Sequence, residues 1–143
     1  MSIQLNPFIL LDGKAREAIE FYQKTLGAKL LFKQTAGEGP QNPDKPMSEE
    51  AKARIAHSVL QVGETKFFLA DLEEGQALLP GNGINICLTV DNTSEAERLY
   101  HSIKEGGQVE VKLGPAYFSP AYGMITDKFG VVFQVFTKRG TGK

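Results

Sequence analysis

The stretch Asn6–Phe32, NPFILLDGKAREAIEFYQKTLGAKLLF, reads as strand, helix, strand. Hydrophobic alternation of period two before the helix gives way to a period of 3.6 within it. A second copy runs from Ile84 to Val111, INICLTVDNTSEAERLYHSIKEGGQVEV. Glu17-Ala18 and Tyr22 match Glu95-Ala96 and Tyr100 at a common offset of 78. Pro7 then falls opposite Asn85, and Asp12 falls opposite Asp91 after a one-residue gap. Ala15, Ala18, Ile19, Tyr22 and Leu26 form one apolar stripe; Ala96, Leu99, Tyr100 and Ile103 form the other. Asp12 is placed to cap the first helix, and Asn92 with Glu95, or Ser94 with Glu97, the second. Gly27 and Gly106-Gly107 follow the helices, where left-handed caps belong. Agreement of type, order and spacing marks a duplicated module.

Outward from these copies, strand one covers Asn6–Leu11, the first helix about Lys14–Leu26, and strand two Ala28–Thr35. The segment Ala36–Ala53 is rich in Gly, Pro and charge and too long for a tight hairpin. It allows one short helical turn capped by Ser48, and serves as a mobile surface loop, a lid or an arm toward a partner subunit. Ile55–Val62 and Thr65–Asp71 form a hairpin about Gly63-Glu64. Residues 72–83 link a module at 6–71 to one at 84–137, within a single domain of 143 residues. The second module repeats the plan: strand Ile84–Val90, helix Ser94–Glu105 and strand Gln108–Leu113. A hairpin, Tyr122–Thr126 and Val131–Phe136, then turns at Asp127–Gly130. The tail from Lys138 reads as frayed.

The apolar and charged fractions, 41% and 23%, are ordinary for a globular protein. A formal charge of −1 leaves no footprint for nucleic acid or an anionic membrane. No apolar run is long enough for a transmembrane helix and no signal-peptide pattern opens the chain, so a cytoplasmic protein is expected. One cysteine, Cys87, excludes an intrachain disulfide framework and a multi-cysteine metal site.

Two βαβββ modules in tandem resemble the vicinal-oxygen-chelate superfamily (glyoxalase I, extradiol dioxygenases, fosfomycin and bleomycin resistance proteins), and more narrowly its PhnB-like branch. The resemblance is carried by Asp12-Gly13-Lys14-Ala15-Arg16-Glu17-Ala18, Phe21-Tyr22, Leu26-Gly27, His57-Ser58, Ala70-Asp71, Gly106-Gly107, Tyr122-Gly123 and Asp127-Lys128-Phe129-Gly130. It spans about Pro7 to Phe136, with Phe118 and Phe133 where such proteins often carry Trp. The resemblance implies an α+β fold in which the modules form a curved eight-stranded cup, helices on the convex side and ligand on the concave side. It also implies a homodimer.

Strand alternation sorts the faces. Ile86, Leu88, Val90, Phe133 and Val135 belong under the helix, leaving Asn85, Cys87, Thr89, Val132, Gln134 and Phe136 in the cup. In the first module Phe8, Leu10, Leu60, Val62, Phe67 and Leu69 are assigned to the helix side. Pro7, Ile9, Leu11, His57, Val59, Gln61, Phe68 and Ala70 are assigned to the cup. Metal-dependent members of the family ligate from the first and last strands of each module. Those places carry Pro7, Phe68, Asn85 and Gln134, none of them a good ligand for a divalent ion. No metal and no other cofactor is therefore expected, which argues against glyoxalase I and dioxygenase chemistry.

The ligand-binding candidates are His57, Gln61, Phe68, Asn85, Cys87, Phe118, Tyr122 and Gln134. His57 doubles as the one candidate catalytic acid or base; its plainer role is a histidine bonded to backbone. Asn85 and Gln134 either grip a ligand oxygen or satisfy each other. Cys87 is expected as a small buried hydrophobe. Phe118 and Tyr122 stack on a ligand or simply pack, His101 points to solvent, and Asp71 and Asp127 are turn residues. Three functions follow: metal-independent binding of a small apolar or aromatic molecule, a lyase-, isomerase- or transferase-type enzyme using His57, or a structural homodimer whose site has lost its chemistry. The first is favoured by an apolar lining with a few polar groups. No phosphate loop, dinucleotide fingerprint or Ser-His-acid set is present.

Overall fold

The computed structural model describes residues 2–140, and the chain divides into two compact units, one ending at Leu79 and the other beginning at Pro80. Unit 1 comprises β1 (Phe8–Leu11), α1 (Ala15–Leu26), β2 (Lys29–Thr35), a 3-10 turn (Ala36–Glu38), α2 (Glu49–Ala53), β3 (Ile55–Val62) and β4 (Thr65–Asp71). Unit 2 comprises β5 (Ile86–Val90), α3 (Thr93–Ile103), β6 (Gln108–Ala116), β7 (Ser119–Thr126) and β8 (Val132–Thr137). Each unit is one βαβββ module with its own four-stranded sheet, ordered β1-β4-β3-β2 and β5-β8-β7-β6. The first and last strands of each module run parallel; the other pairs are antiparallel.

One face of each sheet is closed by its helix. In unit 1, Ala15, Ala18, Ile19 and Tyr22 of α1 are buried together with Ile9, Leu11, Leu60, Phe67 and Leu69 of the sheet. The Tyr22 and Phe67 rings meet edge to face at 6.0 Å. In unit 2, Ala96, Leu99, Tyr100 and Ile103 of α3 are buried along with Ile125, Phe133 and Val135. Each fully buried side chain of this size contributes roughly 1.5–3 kcal/mol of transfer free energy, enough to hold helix to sheet. Gly27 ends α1 in the left-handed conformation at φ 67°. Gly107 is required for space, since a Cβ there would lie 2.3 Å from the Thr126 carbonyl oxygen.

Several local expectations change. Asp12 does not cap α1: Lys14 occupies the cap position without a side-chain bond. The Ala15 amide instead donates to Asp71 Oδ1 at 3.0 Å, from the end of β4. Asp71 Oδ2 also accepts from the Ile55 amide at 2.9 Å, so this residue ties α1, β3 and β4 together. Asp12 accepts from Arg54 at 2.8 Å, and Arg54 also donates to the Leu72 carbonyl. Asn92 caps α3 through Glu95 N, and Ser48 caps α2 through Ala51 N. Asp127 makes its turn by accepting from the amides of Phe129 and Val131. The late β6–β7 hairpin is longer than its sequence suggests, continuing through Gly114-Pro115-Ala116 and Ser119-Pro120. Pro115 is tolerated because β6 is an edge strand, and Pro120 because it stands at the beginning of β7, ahead of the Tyr122–Phe136 pair with β8.

The main correction concerns β1. Ile9 and Leu11 are 7% and 3% exposed, whereas Phe8 and Leu10 are 52% and 44% exposed. Ile9 and Leu11 thus face the helix and Phe8 and Leu10 the open side, the reverse of the sequence assignment. The reason is the one-residue gap between modules. By strand register Phe8 lies opposite Phe68 as Cys87 lies opposite Gln134. The first strands therefore share an offset of 79, and the helices 78. The extra residue sits in Asp12-Gly13-Lys14, where α3 begins directly after its Asn92 cap. A slip of one residue moves every side chain to the other face.

Candidate functional site

The open face of the unit 1 sheet is built in rows across the strands. Phe8, Phe68, Val59 and Phe32 form one row by successive register pairs. His57 lies one row along, beside Gln34. Its imidazole is surrounded by three phenylalanine rings, with centroids at 6.0 Å to Phe8, 6.1 Å to Phe32 and 5.5 Å to Phe68. Phe8 and Phe68 also meet edge to face at 5.6 Å. The alternative of a His57 bonded to backbone does not hold: no hydrogen bond engages its ring nitrogens among the described residues, and its burial is intermediate. Gln61 shares this face, with its amide donating to the Gly63 carbonyl at 3.0 Å. Phe8 and Phe32 were missed as face residues; the gap before α1 is the sequence signal that places Phe8.

The open face of unit 2 carries a hydrogen-bonded chain. Tyr122 donates its hydroxyl proton to Gln134 Oε1 at 2.8 Å. Gln134 Nε2 donates to Asn85 Oδ1 at 2.9 Å, and Asn85 Nδ2 to the Asn82 carbonyl at 3.1 Å. Asn85 and Gln134 therefore satisfy each other, one of the two arrangements expected. Gln134 keeps a second N–H, and the Tyr122 oxygen keeps acceptor capacity. Phe118 packs edge to face on Tyr122 at 4.9 Å and lies parallel to Phe136 at 6.1 Å. Cys87 is exposed on this face, not the buried hydrophobe expected, because β5 is a sheet edge; its sulfur lies 3.9 Å from Thr89 Oγ1. His101 lies exposed on α3 against Tyr100, as expected.

The family's divalent ion can be tested against the donors present. Across the first and last strands, the open-face pairs are Phe8 with Phe68, and Cys87 with Gln134. Asn85 adds an amide already bonded to Gln134. Two phenylalanines, a thiol and neutral amides do not make a site for a hard or borderline divalent ion. Among the described residues no three His, Cys, Asp or Glu side chains come together as a ligand cluster.

A cleft of about 420 Å³ lies elsewhere in unit 1, lined by Arg16, Glu17 and Glu20 of α1, Glu50 of α2, and Arg54. Its guanidinium groups are committed to structure: Arg16 donates to the Ala53 carbonyl at 3.1 Å, and Arg54 to Asp12 and Leu72. The hydrogen bond that Arg54 donates to the Asp12 carboxylate raises the Arg54 pKa, keeping its charge in place. This cleft is a seam that fastens α2 and its loop, which leaves the open sheet faces as the candidate site.

Residues 4–135 match the family model of the glyoxalase/bleomycin resistance protein/dioxygenase superfamily. The chain belongs to this superfamily. Within the glyoxalase superfamily it is similar to protein PA1353 from Pseudomonas aeruginosa, whose crystal structure superposes with a TM-score of 0.85 at 33% identity, over 97% of this chain and 100% of that one. It is 26% identical to protein YjdN of Escherichia coli over 92% of both chains. The PhnB protein from Bacillus cereus shares the fold, with a TM-score of 0.74 at 20% identity over 94% of this chain and 99% of that one. Among the described residues no helix is long and apolar enough to cross a membrane.

Proposed function

We propose that the protein binds a small apolar or aromatic molecule, without a metal ion, on the open face of its sheets. The observation that carries this reading is His57. A free imidazole framed by Phe8, Phe32 and Phe68 offers a planar apolar surface and one polar anchor. Binding sites for small molecules have this composition. In unit 2 the Tyr122–Gln134–Asn85 chain, flanked by Phe118 and Cys87, supplies a second polar anchor of neutral amides and hydroxyl. Gln61, beside the aromatic row, adds an amide whose present partner is only a nearby turn carbonyl.

Leu10, 44% exposed and outside the phenylalanine row, is left for a second copy of the chain, and we take the functional form to be a homodimer.

The test is titration with 2-naphthamide followed by calorimetry, alongside metal analysis of protein purified without chelator. The reading expects saturable heat, no stoichiometric metal, and a binding constant weakened about tenfold in His57→Ala, the loss of one hydrogen bond and its ring contacts. Stoichiometric tightly held metal would overturn it. Recovery of the probe unchanged after long incubation separates binding from the alternative in which His57 acts as a general acid or base.

A further inference from the structure

Resting on the reading of unit 1's open face as the binding surface, we propose that its ligand is an organic anion: a planar apolar body carrying a carboxylate. Register places Lys29 opposite Gln61 and Gln61 opposite Lys66, so the two lysines flank one amide on the open face. This row adjoins the Phe8–Phe68–Val59–Phe32 row, two residues along β3 and β4 and three along β2, where a bulge takes up the extra residue, and is therefore roughly 7 Å away. A bicyclic ring lying on the phenylalanines brings a substituent carboxylate to the Gln61 amide with an ammonium on either side. Neither lysine is paired with a carboxylate among the described residues, and both are exposed.

Among the described residues the strands of that face bring no carboxylate to it, and Glu64, the acid nearest Lys66 in the chain, lies outside them in the β3–β4 turn. The four strands contain one carboxylate, Asp71, which lies opposite Leu11 on the helix side and spends both oxygens on the Ala15 and Ile55 amides. His57, on the other side of the aromatic row, brings no carboxylate to this face. The corresponding face of unit 2 has Cys87, Gln134, Met124 and Tyr122, all neutral groups. The cationic flank thus belongs to unit 1's face and selects a ligand by charge, while the phenylalanine row selects by shape.

The experiment compares 2-naphthoate with its neutral counterpart 2-naphthamide by calorimetry, on the full chain and on the exposed double variant Lys29→Ser/Lys66→Ser. We expect the acid to bind about tenfold tighter than the amide at low salt, as two nearby ammonium groups allow. The preference falls to near unity in the double variant with amide binding unchanged, and shrinks in about 0.5 M salt. Equal binding of the two probes to the unmodified chain overturns the anion assignment while leaving the apolar site intact. A preference that survives the double variant overturns the lysines' role. Failure of both probes overturns the binding reading itself.

Discussion

Replacing Asp71 by alanine removes more stability than a surface carboxylate should. Its Oδ1 accepts from the Ala15 amide at 3.0 Å and its Oδ2 from the Ile55 amide at 2.9 Å. Helix α1 has no side chain of its own at the cap, so the first bond stands in for capping, worth about 1 kcal/mol. Ile55 is fully buried, and its amide loses a charged acceptor, a cost of about 2 kcal/mol. Together Asp71→Ala should cost about 3 kcal/mol. With a urea slope of about 2 kcal/mol/M, the midpoint falls by roughly 1.5 M. Asp71→Asn keeps one acceptor oxygen and should lose about half as much. The control is Asp12→Ala, which breaks only the exposed end of the Arg54 pair; Arg54 keeps its bond to the Leu72 carbonyl at 2.8 Å. That variant should cost under about 1 kcal/mol. Urea melts of the full chain, followed by circular dichroism, decide the matter. If Asp71→Ala is no more destabilising than Asp12→Ala, the claim that Asp71 joins α1 to β3 and β4 is wrong.

Thr137 Oγ1 is buried with no hydrogen-bond partner among the described residues, so Thr137→Val should leave the thermal midpoint unchanged or raise it slightly; a clear fall would refute this. Gly107→Ala should destabilise unit 2 by more than about 3 kcal/mol, because its methyl would enter the Thr126 carbonyl at 2.3 Å, and chemical denaturation would show this as a lost or greatly lowered transition. Glu95 is held below the ordinary carboxylate range by its hydrogen bond from Arg98. A carboxylate with a depressed folded-state pKa stabilises above its unfolded pKa and loses that contribution as the pH falls through the folded value. Stability measured across the acid limb should therefore fall less steeply with decreasing pH in Glu95→Gln, and an unchanged slope would refute the ion pair's role.

Much of the fold was legible in the chain because it rests on short-range physics. The β3–β4 hairpin fell at its expected residues, Ile55–Val62 and Thr65–Asp71, since Gly63 at φ 58° marks the turn. Both helices showed their buried stripes, and Asn92 capped α3 as its spacing suggested. The face of β1 was not legible by alternation, because Phe8, Ile9, Leu10 and Leu11 are all large and apolar. A strand of uniform hydrophobicity carries no phase; only pairing of Phe8 with Phe68 supplies it. That one uncertainty hid Phe8 from the open face, on which the register puts His57, Gln61 and Phe68 as alternation had assigned them.

The sequence alone determined that two βαβββ modules repeat and where their helices bury. Those conclusions depend on residue type and local spacing, which a single chain displays directly. Tertiary structure alone decided that Asp71 rather than Asp12 serves α1, that three phenylalanine rings surround His57, and that Tyr122, Gln134 and Asn85 join in one hydrogen-bonded chain. Each of these brings together residues far apart in sequence, Ala15 with Asp71 or Asn85 with Gln134. Their meeting is set by strand register, a property of the paired sheet that no single strand carries.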